Sequence, residues 1–397
     1  MNAVIVSAAL DTNGQNARFV RAADKHGHKV IHAFAIGNSD PAGVVARFQA
    51  AAQKGDRLRI RSAHKQTAYF EFPTDLVWDH HNHDQIYRLI READVVHLNN
   101  SYRAVQQFRL SQPMLLHHHG SLFRANPTAM LSMAASRRMV SAVSTVDLLR
   151  PAPGVLRWLP SAYDVSALEA FGQSHRRPAD GRILVAHAPT NRTLKHTQVL
   201  LSAVSALAAE GLPIDLDVIE GVTNAECLGR KAKADIVFDQ LAYGYGCNSI
   251  EAWAMGVPVI SGSDQWTDAK MRDMWGDVPY ALASESSLKE VLRGLVLSAD
   301  MRAEYAARGM QHVRRYHDEL PALERLAELY AEAIRTFVGH RTVVQPVRFK
   351  GPRDTSLHVL GETVSFAQGE VVVDHPDVIK RLRYLSTRPT FGITELG

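Results

Sequence analysis

Residues 239–260 read Asp239-Gln240-Leu241-Ala242-Tyr243-Gly244-Tyr245-Gly246-Cys247-Asn248-Ser249-Ile250-Glu251-Ala252-Trp253-Ala254-Met255-Gly256-Val257-Pro258-Val259-Ile260. The run Asp235-Ile236-Val237-Phe238 just before is a short apolar strand, and Val257 to Ile260 is another. Between them, Gly244 and Gly246 let the backbone approach a ligand closely. A helix carrying Glu251, Ala252 and Trp253 starts near Cys247, and Gly256 fits its C-cap. Strand, glycine loop, helix and strand make the repeating unit of an open α/β sheet, whose ligands sit beyond the strand C-termini. The first amides of the helix point into that space. Glu251, one turn further on, can accept hydrogen bonds from a ribose. The plainer reading makes Glu251 a helix-face charge, and Gly256 is architectural on either reading.

Working outward, the strand Arg182-Ile183-Leu184-Val185-Ala186-His187 runs into Ala188-Pro189-Thr190-Asn191-Arg192-Thr193-Leu194-Lys195-His196-Thr197 and then into a helix with Val199, Leu200, Val204 and Leu207. In such a strand-to-helix loop Arg192 and Lys195 can converge on a diphosphate, assisted by backbone N–H groups. Arg offers a two-pronged fork and Lys a compact charge. The alternative is a basic, solvated helix start.

These pieces resemble the nucleotide-sugar-binding half of retaining glycosyltransferases of the GT-B fold, especially glycosyltransferase family 4. The match lies in Asn191-Arg192…Lys195 and in Tyr245-Gly246…Glu251-Ala252…Ala254…Gly256…Pro258-Val259-Ile260, within residues 182–337. The resemblance implies that Arg192 and Lys195 bind donor phosphates and Glu251 the ribose. It places Gly246, Cys247 and Asn248 beside the sugar and diphosphate. One departure is plain. The family motif carries an acidic residue eight positions before the Glu251 equivalent, and this chain has Tyr243 there. A phenol does not replace a carboxylate near neutral pH. Asp239 compensates if the Asp239–Gly246 loop folds back over the sugar, which makes Asp239 a candidate catalytic residue.

The first part of the chain alternates in the same way. Ala3-Val4-Ile5-Val6, Lys29 to Phe34, Ala93 to Leu98, Met114 to His119 and Met139 to Val143 are apolar runs with polar ends, and residues 84–92 read as a crossover helix. Gly14 and Asn16 follow the first strand, where the resemblance brings a loop toward donor or acceptor. His119-Gly120-Ser121 follows the 113–116 run, and the resemblance points there for sugar contacts, with His119 as a second candidate catalytic residue. Arg124 and Tyr243 are candidate acceptor or anion contacts. His117 and His118 read as strand-capping residues, and neither the His triplet nor His81-Asn82-His83 makes a metal site.

The expected architecture is therefore α/β: a GT-B-like pair of Rossmann-like domains. Residues 1–165 form an acceptor-side domain, 166–181 a linker, and 182–339 the donor domain with its crossing helix. Residues 340–397 form a small β-rich appendix that weakly resembles modules of tailed-phage structural proteins. The expected location is cytoplasmic, in the host cytoplasm if the protein is of phage origin. With 397 residues, 46% hydrophobic and 22% charged, this is a globular composition. A net charge of +4 does not by itself indicate nucleic-acid binding. Two cysteines, Cys227 and Cys247, exclude a disulfide scaffold. The apolar start lacks a signal peptide's basic region, and no apolar run approaches the ~20 residues of a bilayer span.

The reading implied is a hexosyltransferase-like retaining enzyme. It moves a sugar from a nucleoside diphosphate sugar, its substrate, to an acceptor such as a protein, with no cofactor and no obligatory metal. A nucleic-acid acceptor, suggested by the basic stretch Arg57, Arg59, Arg61 and Lys65, is one alternative. A nucleotide-sugar epimerase and a catalytically degenerate nucleotide-sugar-binding protein are the others.

Overall fold

The apolar runs assemble into two parallel sheets. In this computed structural model the described residues are 3–8, 15–28, 30–35, 60–61, 67–68, 76–78, 92–100, 112–338, 347–359, 362–373, 376–388 and 391–396. Gly14, most of the 84–92 helix and most of the 57–65 basic stretch lie outside them.

The first sheet uses β1 (Ala3–Ala8), β2 (Val30–Ala35), β5 (Leu76–Trp78), β6 (Val95–Asn99), β7 (Met114–His118), β8 (Val140–Val143) and β9 (Arg157–Trp158), while β3 (Ile60–Arg61) and β4 (Thr67–Ala68) pair only with each other. Its order is β5-β2-β1-β6-β7-β8-β9, parallel throughout. The chain turns back between β1 and β6, with Ala3 opposite Val95 and Ser7 opposite Asn99. The crevice of this domain therefore opens where Asn99 ends its strand.

The second sheet contains β10 (Ile183–His187), β11 (Ile214–Val218), β12 (Ile236–Phe238), β13 (Tyr243–Gly244), β14 (Val259–Ser263) and β15 (Ala281–Leu282). Its order is β11-β10-β12-β14-β13, with β15 beside β14. Here the strand order reverses between β10 and β12, paired Val185 to Ile236 and His187 to Phe238. The two loops singled out in the sequence, after His187 and after Phe238, thus leave adjacent strand tips at the switch point. β13 alone runs antiparallel, Tyr243 opposite Ser263 and Gly244 opposite Gly262. The loop after β12 therefore folds back along the end of β14. Gly244 takes φ +77°, and a Cβ on Gly262 would lie 2.2 Å from the Ala283 carbonyl oxygen, so neither position tolerates a side chain.

Residues expected as a linker are helical as far as His175. The helix Val165–His175 is capped by Asp164, whose carboxylate accepts from the Ala167 amide at 2.9 Å. A Cβ on Gly172 would sit 2.5 Å from Met255 O, so this glycine is there for close packing of the helix on the second domain. The long helix Glu319–Val338 returns to the first domain, where Ala322, Leu326, Leu329, Tyr330 and Ala333 join Ile5, Val95 and Leu115 in one core. A second core is continuous across both domains, from Phe123, Val143 and Leu149 to Ile250, Trp253 and Val259.

The appendix builds β16 (Val347–Lys350), β17 (Thr355–Val359), β18 (Glu362–Phe366), β19 (Glu370–Val373) and β20 (Thr394–Leu396), with a helix Pro376–Ser386. Phe349, Phe366, Val378, Ile379 and Leu382 give it a core of its own.

Candidate active site

The centre of the switch point is a carboxylate. Asp239 follows β12, and its side chain is fully enclosed. One oxygen accepts from Lys195 Nζ at 2.6 Å. The other accepts from the Gly246 amide at 3.0 Å and the Ser249 hydroxyl at 2.7 Å. Burial pushes this carboxyl up, but the Lys195 charge and the hydrogen bonds outweigh it and hold the group below the usual carboxylate range. The two loops expected to meet are thus joined by this ion pair and by the Leu241 amide, which donates to His196 Nδ1 at 3.3 Å. The folded-back loop is fixed from the other side by Ser261, whose hydroxyl donates to Gly244 O at 2.5 Å and has Gln240 O also within reach at 3.1 Å.

The loop after β10 is held by His187. Its Nδ1 lies 3.0 Å from Phe238 O and its Nε2 2.8 Å from the Thr197 hydroxyl. A carbonyl only accepts, so Nδ1 carries the proton and Nε2 accepts from Thr197. Burial lowers the pKa of this imidazole to about 4 and keeps it neutral. Arg192 and Lys195 leave the loop toward different carboxylates. Arg192, 58% exposed, makes a fork on Glu220 with bonds of 3.0 and 2.5 Å. Lys195 alone joins the buried node.

Glu251 is not a bare helix-face charge. Only 4% exposed, it pairs with the buried Lys231, whose ammonium also reaches Asn248 Oδ1 at 3.2 Å. Arg18, from the first-domain helix Gln15–Lys25, approaches Glu251 at 3.6 Å and lies 4.0 Å from the Tyr163 ring. Asn16, two residues earlier, accepts from Asn99 Nδ2 at 2.5 Å at the first domain's own switch point. The helix Cys247–Ala254 begins at Gly246 without a side-chain cap, and the half-buried Cys247 that opens it is not in a disulfide. The N-terminal end of a helix favours an anion.

A second contact joins the two domains. The Arg124 guanidinium lies 4.2 Å from the Tyr243 ring centroid and bonds Asp147 at 2.7 Å. The residue that departs from the acidic motif therefore meets a first-domain cation through its aromatic face.

His117, His118 and His119 are all buried at the end of β7. The rings of His117 and His119 are 4.0 Å apart, and His118 stacks on Phe123 at 4.2 Å. Burial, with neighbouring imidazoles, lowers His119 to about 3, so it acts only as a neutral group. Asn100 fixes its backbone, accepting from the His119 amide at 2.9 Å. Among the described residues, neither ring nitrogen of His119 has a hydrogen-bond partner. No three metal-ligating side chains come together among them, and none of their helices is long and apolar enough to cross a membrane.

Sequence reasoning missed Arg18, Lys231 and Ser249. Ser249 sits in the quoted stretch and was legible as a polar first-turn residue, whereas Arg18 and Lys231 reach the site through tertiary packing alone.

Two Rossmann-like domains and a long helix returning to the first domain define the GT-B architecture. Solved structures agree. Anabaena Alr3699/HepE, crystallised in complex with UDP, is similar with a TM-score of 0.56 and 12% identity, over 84% of this chain and 100% of its own. The α,α-trehalose 6-phosphate synthase of Burkholderia multivorans gives 0.53 and 12%, over 86% and 99%. A glycosyltransferase from Rickettsia africae gives 0.52 and 12%, over 84% and 98%. No protein-family model matches the chain, and no curated protein sequence matches it.

Proposed function

We propose that this protein is a glycosyltransferase that binds a nucleoside diphosphate sugar between its two domains and transfers the sugar to a nucleophilic acceptor. The observation that carries this reading is the Lys195–Asp239–Gly246/Ser249 node. It sets an ammonium and an uncapped helix start together at a strand-order switch, the place where a GT-B fold receives a diphosphate. The complexes of the Anabaena protein with UDP and with UDP-glucose support a donor of this chemical class.

In this reading Lys195 and the amides after Gly246 stabilise the negative charge that develops on the departing diphosphate. Arg192 joins them by exchanging Glu220 for a phosphate oxygen. Glu251 accepts from the ribose while Lys231 and Arg18 hold it in place. Asp239 positions Lys195 and the loop, because the three hydrogen bonds it accepts come from Lys195, Gly246 and Ser249. His119, neutral and buried, hydrogen-bonds the sugar or acceptor, and Arg124 with Tyr243 borders that space. Domain closure excludes water and limits donor hydrolysis. The resemblance to glycosyltransferase family 4 supports a retaining outcome without a metal, and a protein is the proposed acceptor.

The test is mass spectrometry of the enzyme with a panel of nucleotide sugars and a host extract. Release of a nucleoside diphosphate together with a hexose-sized mass increment on an acceptor is expected. Tyr243 favours one other reading, donor binding without transfer, which would give binding but neither increment nor donor hydrolysis. Isomerised donor in the absence of acceptor would instead identify an epimerase.

A further inference from the structure

Tyr245 lies inside the donor loop, yet the transfer chemistry leaves its hydroxyl without a task. That hydroxyl is buried 2.9 Å from His312 Nε2 and 2.9 Å from His317 Nε2. His317 Nδ1 in turn lies 3.0 Å from the carbonyl oxygen of Ser161. These distances fix where the protons are. A carbonyl only accepts, so His317 Nδ1 carries the hydrogen, and in a neutral ring its Nε2 is bare. Tyr245 must then donate its single proton to His317. The contact with His312 is a hydrogen bond only if His312 Nε2–H donates to the Tyr245 oxygen. One ordered chain results: His312 Nε2–H to Tyr245 Oη–H to His317 Nε2, and His317 Nδ1–H to the Ser161 carbonyl.

The ends of this chain are informative. Ser161 belongs to the segment where the polypeptide first leaves the first domain, between β9 and the helix Val165–His175. His317 ends the π-helical turn Val313–His317, where the polypeptide starts back. The two crossings are tied directly, since the Tyr163 amide donates to His317 O at 2.7 Å. In the middle of the chain, Tyr245 is one peptide unit from Gly246, whose amide bonds Asp239 and through it Lys195. Aromatic rings enclose the chain: Trp275 lies 4.6 Å from His312, Trp253 5.8 Å from His312, and Trp158 5.8 Å from His317. Burial keeps both imidazoles neutral, with His312 lowered well below its ordinary value and His317 lowered to about 4.

We propose that Tyr245, His312 and His317 are positioning residues: a proton-ordered hydrogen-bond chain that ties the interdomain hinge to the donor loop and sets that loop for transfer. The last clause rests on the glycosyltransferase reading, whereas the chain itself does not.

The test therefore has two arms on the full-length protein. Two-bond ¹H–¹⁵N spectra, assigned with His312→Gln and His317→Gln, report tautomers without any substrate. The Nδ1–H form of His317 and the Nε2–H form of His312 are expected, and the reverse form of either overturns the ordered chain. Hydrogen exchange then compares Tyr245→Phe with the parent. Faster exchange in the peptide spanning Gly244 to Asn248, by about tenfold, is expected, and unchanged protection overturns the tie to the loop.

The second arm is kinetic. His312→Gln keeps an N–H donor toward Tyr245 and should retain kcat. Tyr245→Phe and His312→Leu should lose about tenfold or more in kcat, with donor KM moving less than about threefold. Equal rates in His312→Gln and His312→Leu would overturn the positioning role. If the parent protein consumes no nucleotide sugar, the glycosyltransferase reading fails, while tautomers and exchange still decide the chain.

Discussion

Replacing Asp239 by Asn removes the charge at the centre of the site and keeps its shape. The carboxylate accepts three bonds, from Lys195, the Gly246 amide and the Ser249 hydroxyl. An Asn carbonyl can serve one side of that arrangement, but its NH₂ then faces a donor on the other. Breaking a fully buried ion pair by removing one partner costs about 3–5 kcal/mol. Lys195 retains 22% exposure and can turn to solvent, so the lower part of that range applies, about 3 kcal/mol. At roughly 2–4 °C per kcal/mol for a domain of this size, the melting temperature should fall by about 6–12 °C. The assay is urea unfolding of parent and Asp239→Asn between pH 8 and 3.

The sign of the pH effect follows from the lowered carboxyl. A depressed folded pKa contributes stability that is complete above the unfolded value, about 3.9, and is lost as pH falls through the folded value. The difference between the two proteins should thus be flat from pH 8 to about 5 and shrink below about 4. A difference under about 0.5 kcal/mol at pH 7, the range of ordinary surface substitutions, would refute the buried node. So would a difference that grows on acidification.

Four further outcomes are expected. Gly309→Ala places a Cβ 2.0 Å from the Trp253 ring and should destabilise by about 1–3 kcal/mol or more, seen as a lower urea midpoint. Gly229→Ala, in the helix Asn224–Ala232 with nothing within 4 Å, should instead stabilise by about 0.5–1 kcal/mol in the same assay. Global stability should decline as pH drops from about 6.5 toward 4, because the unfolded chain takes up protons that His119, His187 and His317 refuse when folded; a flat unfolding midpoint over that window would contradict their burial as neutral rings. A double-mutant cycle of Arg124→Ala with Tyr243→Leu should give a coupling of about 0.5–1 kcal/mol, and a value of zero would remove the interdomain stacking contact.

What the sequence made legible is local. Apolar runs with polar ends marked β10, β12 and the strands of the first sheet, because a fully buried parallel strand must be apolar along its length. Gly244 marked the folded-back loop, since its φ of +77° is a backbone conformation that a side chain strains, whereas Gly246 is extended and marks the start of the helix Cys247–Ala254. The pairing of charges was not legible. Arg192 and Lys195 stand three residues apart on one loop, yet one finds Glu220 and the other Asp239, through strand order rather than sequence distance. Lys231 reads as a surface lysine near a helix end, and only the fold buries it against Glu251. Gly172 and Ser174 suggested a linker, whereas Gly172 is the small residue that lets a helix lie against Met255. The ordered role of Tyr245 depends on two histidines some seventy residues away.

If the second switch point holds a nucleoside diphosphate through Lys195, removal of that ammonium must weaken nucleotide binding. Titration calorimetry of UDP, GDP, ADP and CDP into the parent protein and Lys195→Ala tests it most directly. At least one should bind the parent, and the same nucleotide should bind Lys195→Ala about tenfold or more weakly, the loss expected for one charge-assisted contact to phosphate, with the variant's fold retained. Absence of binding by all four, or equal affinity for parent and variant, would rule out Lys195 as the diphosphate contact.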